Sequence, residues 1–239
     1  MRAIILAGGK GERLLPYTVD VPKPLLPLMG RPALDIILEQ LYLLGFEKVT
    51  LCVHYLAEIF QIFVELRQEK FKEMKIECVA EREALGTAGA IGQVDFEGEP
   101  NLVMNGDVVT NLNFKKLLEF HKRAKAMLTV ASKPYSLRLD VGFVEANKDG
   151  AITGYTEKPV INNVASMGVY VYSPEIKKFI KPQKRLDFPD LVKNLIKAKE
   201  KILAFNNNAL WLHLVSAQEY EKAGEFVEKN YSKLFNFTV

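Results

Sequence analysis

The 239-residue sequence has little of several residue types, and each shortage excludes a class of protein. It holds only two cysteines, Cys52 and Cys78, in apolar runs without metal-ligand spacing. This excludes a disulfide scaffold and predicts buried, reduced thiols in the cytoplasm. No apolar run approaches the roughly 20 residues of a membrane span, and the start lacks a signal-peptide pattern. We therefore expect a cytoplasmic protein with no membrane partner.

The sequence also lacks a strong excess of positive or negative charge. The 32 Lys and Arg residues stand against 29 Asp and Glu, a net charge of +3. We therefore expect no nucleic-acid partner, and any cations that matter must act locally. Apolar residues, in contrast, make up 49% of the chain and aromatic residues 10%. That content is enough for a packed core and excludes a disordered protein.

The order of predicted elements indicates an α/β fold. In the first half, strand-like runs alternate with helical spacing, which favours a Rossmann-like, mixed but mostly parallel sheet flanked by helices. In the second half, an Asn-Lys-Asp-Gly turn between two strand-like runs predicts a small antiparallel flap. We expect a single domain, 1–239, with halves 1–134 and 135–239. The predicted strands are 2–7, 48–54, 75–80, 101–104, 127–132, 141–146, 151–156, 165–172, 201–205 and 209–212, and the predicted helices are 32–44, 56–69, 87–94, 113–125, 188–199 and 217–229.

A glycine-rich loop follows the first predicted strand. Gly8, Gly9 and Gly11 let backbone N–H groups approach phosphate oxygens closely. The loop is not a Walker loop, because no Gly-Lys-Ser/Thr follows, and Leu14 stands where a dinucleotide fingerprint has its third glycine. The glycines alone would suit a plain tight turn equally well, but Arg13 beside them favours an oxyanion site.

Lys23 lies between two prolines, Pro22 and Pro24. The prolines fix the local backbone and lower the entropy cost of positioning the amine. A lysine held in this way, close in sequence to a phosphate loop, is a better catalytic candidate than an ordinary surface lysine.

These stretches together resemble the sugar-1-phosphate nucleotidylyltransferase family, whose signature runs Gly-Gly-x-Gly-Thr-Arg-Leu and then Pro-Lys-Pro. Three further matches follow in order: Leu-Gly-Thr-Ala-Gly at 85–89, Asn-Gly-Asp at 105–107 and Glu-Lys-Pro at 157–159. The similarity spans essentially the whole chain and is of the mannose-1-phosphate guanylyltransferase type. The resemblance implies two substrates, a nucleoside triphosphate and a sugar 1-phosphate, with Mg²⁺ as cofactor and pyrophosphate as the second product.

The resemblance also implies a role for each matching residue. Arg13 would neutralise the triphosphate, Lys23 would lie at the α-phosphate, and Asp107 would hold Mg²⁺. Without the match, Asp107 would be a simple turn residue, and Glu157 with Lys158 an exposed pair at a hairpin end. The implied nucleotide-binding residues are Leu6, Gly8, Gly9, Gly11, Glu81, Gly86 and Thr87, and the implied sugar-phosphate-binding residues are Gly142, Glu157, Lys158, Ser166 and Gly168.

Glu81 bears on the choice of base. In this family the residue five positions before the Gly of Leu-Gly-Thr tends to read the base edge, and Gln there suits uracil or thymine. The Glu81 carboxylate offers acceptors and no donor, which fits the N1–H and N2–H₂ groups of guanine. The resemblance thus implies GTP and a mannose-like or heptose-like sugar. The alternative is a solvated charge at a strand end.

Three positions depart from the family pattern. Glu12 stands where Thr is usual, Ser166 where Asn is usual, and His213 where the family has a second metal-binding Asp. Imidazole is a poor partner for Mg²⁺ but suits Mn²⁺, Zn²⁺ or Co²⁺. The open outcomes are magnesium held by Asp107 and phosphates alone, a softer metal on Asp107 and His213, or a weakened enzyme. A packed histidine without a metal is the alternative for His213.

Two hypotheses for function come from different classes. The leading one is an active nucleotidylyltransferase, and Arg13, Lys23 and Asp107 favour it. Its rival is a weakened or inactive relative that binds nucleotide or nucleotide-sugar as a sensor or regulatory subunit, which His213 favours. A nicotinamide-dependent dehydrogenase is disfavoured by the Pro-Lys-Pro segment. Apolar residues in the last helix suit a homodimer, and nothing in 231–239 indicates an appended domain.

Overall fold

A computed structural model describes residues 1–237. The strands are β1 (Arg2–Leu6), β2 (Pro27–Leu28), β3 (Arg31–Pro32), β4 (Lys48–Val53), β5 (Lys75–Ala80), β6 (Asn101–Asn105), β7 (Val108–Thr110), β8 (Leu128–Arg138), β9 (Phe143–Ala146), β10 (Ile152–Thr156), β11 (Val160–Tyr172), β12 (Ile202–Asn206) and β13 (Trp211–His213). The helices are α1 (Ala33–Leu43), α2 (Ala57–Gln68), α3 (Gly86–Gly89), α4 (Phe114–Ala124), α5 (Phe188–Lys197) and α6 (Ala217–Leu234).

A seven-stranded sheet forms the centre of the protein, in the order β12-β8-β11-β6-β1-β4-β5. Strands β6, β1, β4 and β5 are parallel to one another, and β12 is parallel to β8. Strand β11 runs antiparallel to both of its neighbours, β6 and β8. The predicted α/β fold with a mixed, mostly parallel sheet is confirmed.

Helices cover both faces of this sheet, as the two central residues of β1 show. Ile5 packs in the same cluster as Leu38 of α1, whereas Ile4 belongs to the cluster on the other face with Leu191 of α5. Ile4 and Ile5 are each no more than 1% exposed. A strand buried on both faces is an uninterrupted apolar run in the sequence, which is why β1 was predictable.

The flap, residues 140–158, contains the hairpin of β9 and β10, paired from Phe143↔Thr156 to Ile152↔Ala146, as predicted. It lies beyond a two-stranded ribbon formed by the outer parts of β8 and β11. The predicted strands 127–132 and 165–172 were too short, because both strands continue into this ribbon. Its residues are mostly exposed, so burial imposes no apolar alternation that the sequence could reveal.

The ribbon joins the sheet at an irregularity in β11. Ser166 pairs with Ser132, but the next pair is Tyr170 with Val130, so four steps along β11 face two along β8. Gly168, inside this bulge, has a φ of +74°. The extra residues leave the regular ladder with β8 and are free to meet other parts of the chain.

The structure also bears on the predictions for the two cysteines, for one helix and for membrane spans. Cys52 is buried as predicted, but Cys78 is only partly buried, and both are free thiols. Burial raises the pKa of Cys78 to about 11. The predicted helix 87–94 divides into α3 and a 3-10 turn, Ala90–Gln93. None of the helices in residues 1–237 combines the length and apolarity needed to cross a bilayer.

Candidate active site

A cavity of about 730 Å³ lies where the parallel strands β1, β4, β5 and β6 reach their carboxyl ends. This is the edge of an open α/β sheet where ligands commonly bind. Residues from widely separated parts of the chain meet there because the strands end side by side. Of the predicted site residues, the cavity is lined by Leu6, Gly8, Gly9, Gly11, Arg13, Lys23, Glu81, Gly86, Thr87, Asp107 and His213.

At Gly8 and Gly11 the glycine loop passes through gaps too narrow for a larger side chain. A Cβ on Gly8 would lie 2.9 Å from Glu81 Oε1, and one on Gly11 would lie 2.9 Å from Thr18 Cγ2. Gly11 also has a φ of +67°, which favours glycine. Within residues 1–237 no hydrogen bond engages the N–H groups of Gly8, Gly9 or Gly11. The loop can therefore donate to an anion.

Lys23 and His213 both face the carboxylate of Asp107. The Lys23 amine donates to Asp107 Oδ2, and His213 Nε2 lies 3.3 Å from the same oxygen. Burial raises the pKa of Asp107, but the hydrogen bond with His213 and the charge of Lys23 outweigh it, so the pKa lies below its ordinary value. Asp107 is therefore ionised at neutral pH.

Pairing of two short strands brings His213 to Asp107. Asp107 lies in the turn between β6 and β7, and β7 pairs with β13 through Val108↔His213. Trp211, at the start of β13, donates its indole N–H to the carbonyl of Met167 at 3.0 Å and lies nearly parallel to the His213 ring. These contacts fix the imidazole next to the carboxylate.

Glu81 follows β5 and is partly buried at the rim of the cavity. Its Oε2 accepts a hydrogen bond from the Leu85 N–H at 2.9 Å. Burial raises its pKa by more than this hydrogen bond and the nearby His54 lower it. Glu81 is thus held by the protein and is not a freely solvated strand-end charge.

The predicted sugar-phosphate residues do not share this cavity. Gly142, Glu157 and Lys158 are exposed and lie on the flap. The Tyr155 hydroxyl donates to Glu157 at 2.7 Å, and Lys158 pairs with Asp140 at 2.7 Å. Their partners therefore belong to the flap itself.

Ser166 and Gly168 lie at the base of the ribbon. Ser166 is exposed, whereas Gly168 is buried beside the cavity, since a Cβ on it would lie 2.8 Å from Nδ2 of the cavity residue Asn105. The structure thus brings the predicted nucleotide residues together and leaves most of the predicted sugar residues further along the ribbon.

Several cavity residues were not among the predicted site residues, among them the titratable residues His54, Arg185 and Asp187. The Nδ1 of His54 lies 3.0 Å from the Glu81 carbonyl oxygen. Arg185 and Asp187 come from the loop before α5. That loop carries no glycine pattern, metal spacing or periodicity, so the sequence gives no signal that it reaches the cavity.

Comparison with known proteins supports the family resemblance that the motifs indicate. A family model described as "Nucleotidyl transferase" matches residues 2–230. Mannose-1-phosphate guanylyltransferase 1 of Arabidopsis thaliana is 34% identical over 187 residues, which cover 74% of this chain and 51% of that protein. UTP–glucose-1-phosphate uridylyltransferase of Synechocystis sp. is 27% identical, over 93% of this chain and 62% of that protein. The chain thus spans between about half and two thirds of the length of these relatives.

Solved structures share the fold over nearly the whole chain. HddC from Yersinia pseudotuberculosis complexed with GMP-PN has a TM-score of 0.72 and 25% identity, covering 94% of this chain and 98% of that one. UDP-glucose pyrophosphorylase complexed with UDP-glucose has a TM-score of 0.74 at 19% identity, covering 96% and 98%, a likeness of fold alone. With a family model that matches nearly all of it, the chain belongs to the nucleotidyl transferase family, in agreement with the resemblance that its motifs carry.

Proposed function

We propose that this chain transfers a nucleotidyl group from a nucleoside triphosphate, preferably GTP, to a sugar 1-phosphate, giving a nucleotide-sugar and pyrophosphate. The observation that carries the proposal is one cavity lined by a glycine loop, by the cations Arg13 and Lys23, and by the carboxylate of Glu81. Relatives named mannose-1-phosphate guanylyltransferase support it. The presence of Arg13, Lys23 and Asp107 in this cavity speaks against an inactive sensor.

The chemistry needs positioning and charge neutralisation more than covalent help. An oxygen of the sugar phosphate attacks the α-phosphorus, the bond from that phosphorus to the bridging oxygen breaks, and pyrophosphate leaves. Lys23 would neutralise the α-phosphate, and Arg13 the departing pyrophosphate. The N–H groups of the glycine loop would hold the phosphate oxygens in line.

Asp107 fits the divalent ion that this family generally uses. Its Oδ1 is buried without a hydrogen-bond partner within residues 1–237, and Mg²⁺ prefers carboxylate oxygens. That part of the chain holds no group of three or more metal-binding side chains, so substrate phosphates would complete the coordination. When bound, the ion neutralises phosphate charge. We propose His213 as a second ligand for Mn²⁺ or another softer ion.

Changing His213 tests this metal assignment. We expect His213→Asp to raise Mg²⁺-supported turnover and to tighten Mg²⁺ binding to the nucleotide complex, because a second oxygen ligand suits Mg²⁺ better than imidazole. Pyrophosphate release and calorimetric titration with Mg²⁺ and Mn²⁺ measure the two effects. A loss, or no change, would count against a metal role for His213.

The base is tested by a pyrophosphate-release assay that crosses four nucleoside triphosphates with several sugar 1-phosphates. We expect turnover with GTP in the wild type and a shift towards UTP or dTTP in Glu81→Gln. Glu83→Gln is the matched control, because Glu83 is an exposed neighbour that does not line the cavity. A wild-type preference for UTP or dTTP would overturn the base assignment and leave the transfer reaction standing.

The second substrate belongs, in our proposal, to the half 135–239, of which residues 238 and 239 lie outside the described structure. Lys158 would grip the sugar phosphate, while Glu157 and the Gly142 backbone would receive sugar hydroxyls, with Ser166 and Gly168 at the ribbon base. Gly142, Glu157, Lys158 and Ser166 are exposed and so accessible to a soluble substrate, whereas Gly168 is buried. We propose a mannose-like or heptose-like sugar, one domain with the nucleotide in the half 1–134, and a cytoplasmic homodimer.

A further inference from the structure

A loop from the second half of the chain is bound to the loop beside Glu81. We call residues 184–188 the strap and residues 85–89 the base loop. The N–H of Leu186 donates to the Leu85 carbonyl at 2.8 Å, and the Leu186 carbonyl accepts from Ala88 and Gly89, both at 2.9 Å. The two loops are thus joined by backbone hydrogen bonds across about 100 positions of sequence.

Side chains join the same two loops. The N–H of Phe188 donates to Thr87 Oγ1 at 2.9 Å, and the N–H of Thr87 faces Asp187 Oδ1 at 3.4 Å. The Thr87 hydroxyl oxygen therefore accepts a hydrogen bond from the strap. Gly86 has no room for a side chain, since a Cβ there would lie 2.5 Å from Asp187 Oδ1 and 2.8 Å from the Leu186 carbonyl.

Leu85 connects the strap to Glu81. Its N–H donates to the Glu81 carboxylate, and its carbonyl accepts from the strap. A shift of the base loop away from the strap would therefore move the donor that orients Glu81. Selectivity between bases depends on such orientation, because an acceptor discriminates only when it faces the donors of the correct base.

The side chain of Asp187 does not cap helix α5. It is the residue before α5, the N-cap position, yet its side chain makes no capping hydrogen bond. Its side chain is 43% exposed at the cavity, where Oδ2 lies 3.5 Å from Arg185. The Asp187 carboxylate is directed to the base loop and to solvent, so its removal should cost little stability.

We propose that Asp187 is a positioning residue through which the strap fixes Glu81 and so sets the base selectivity of the enzyme. This inference rests on the proposed function, in which Glu81 reads the base. It assigns a part of nucleotide recognition to the half of the chain that we propose for the sugar phosphate.

The test compares Asp187→Ala and Asp187→Asn with the wild type. Asp190→Ala is the matched control, an aspartate in the first turn of the same helix whose carboxylate pairs with Lys193. Dissociation constants are measured for GTP, UTP, ATP and ITP, which lacks the N2 amino group that a carboxylate would bind. Amide hydrogen exchange of residues 84–89 is measured in the ligand-free protein.

We expect Asp187→Ala to reduce the affinity ratio between the preferred nucleotide and the others by about tenfold and to speed exchange in the base loop by a similar factor, the scale of one lost hydrogen bond. Asp187→Asn should retain both properties, because its amide oxygen still accepts from Thr87. Asp190→Ala should resemble the wild type in both measurements.

Two results separate this inference from the proposed function. Equal weakening of every nucleotide by Asp187→Ala, with unchanged exchange in the base loop, overturns the strap's role and leaves the GTP preference intact. A wild-type preference for UTP overturns the proposed base reading by Glu81, on which this inference rests, whereas faster exchange in the base loop of Asp187→Ala would still show that the strap holds that loop.

Discussion

The cavity at the end of the parallel strands and the flap both carry predicted site residues but are built in opposite ways. The side chain of Asp107 in the cavity is 14% exposed, whereas Asp140 and Lys158 on the flap are 82% and 42% exposed. Contacts in the cavity join distant parts of the chain, as between Lys23 and Asp107. Those of the flap join near neighbours, such as Tyr155 and Glu157. The cavity is therefore organised before substrate arrives, whereas these flap contacts join residues of the flap to one another.

This difference predicts where substitutions are costly. Breaking a buried ion pair leaves an uncompensated charge and costs about 3–5 kcal/mol, while an exposed pair contributes about 0–1 kcal/mol. Breaking the buried ion pair of Lys23 and Asp107 in the cavity should therefore impair function far more than breaking an exposed pair on the flap.

The largest effect is expected for Lys23→Met. The change leaves the Asp107 carboxylate facing His213 alone and removes the cation at the proposed α-phosphate position. Turnover should fall about a thousandfold, in line with the loss of one transition-state contact, as measured by pyrophosphate release. Lys122→Met, at an exposed lysine paired with Glu99, should retain wild-type turnover. Wild-type turnover in Lys23→Met would contradict the assignment.

Gly86→Ala should have the next largest effect. Gly86 and Gly98 have φ values of +77° and +76°, but only at Gly86 would a Cβ meet neighbouring atoms. Both substitutions place an alanine at nearly the same positive φ, so their backbone strain is similar. The difference in nucleotide affinity between the two variants therefore reports the clash of the new Cβ with the strap. We expect Gly86→Ala to weaken the binding free energy of the nucleotide by about 2 kcal/mol more than Gly98→Ala does. This corresponds to a Kd about thirtyfold higher, which calorimetric titration measures. Equal Kd values in the two variants would refute the close fit.

Acid should weaken nucleotide binding through Glu81. Its pKa is raised, so its carboxylate gains a proton, and loses its acceptor function, at a higher pH than an ordinary glutamate. As pH falls through that raised pKa, affinity should decline by about tenfold, the scale of a hydrogen bond to a charged group. Comparing the wild type with Glu81→Gln at each pH removes the titration of the triphosphate itself. A constant ratio of the two affinities would refute the prediction.

The smallest effect is expected on the flap, for Asp140→Asn. The change releases Lys158 from its exposed ion pair, so the KM for the sugar 1-phosphate should fall about threefold, within the energy of such a pair. Asp149→Asn is the control, since Asp149 lies in the exposed turn between β9 and β10. A rise in KM for Asp140→Asn would show that Asp140 supports the substrate rather than competing for Lys158.

The cavity was largely predictable from the sequence because topology forces its parts together. The glycine loop follows β1, Glu81 follows β5, and Asp107 follows β6, and parallel neighbouring strands end at one edge of a sheet. Buried strands can also be recognised in the sequence, because they are continuous apolar runs. A motif placed at the end of such a run therefore has a foreseeable position, although the role of each residue stays a prediction.

The rest of the site depends on contacts that leave no local pattern. The strap is a polar loop, and its place beside Thr87 follows from hydrogen bonds across about 100 residues. The ribbon of β8 and β11 is exposed on both faces, so its length was underestimated. The proximity of His213 to Asp107 comes from the pairing of the short strands β7 and β13. In the sequence, only the family pattern indicated that these two residues lie close together.

The bulge of β11 has a practical consequence for protein engineering. The two extra steps after Ser166 are what allow the Met167 carbonyl to receive the Trp211 indole and Gly168 to lie against Asn105. A chimera that takes its flap from another transferase should therefore be spliced on the flap side of Ser166. Such a graft would exchange the proposed sugar-binding residues of the flap together, while the recipient keeps the packing beside the turn that carries Asp107.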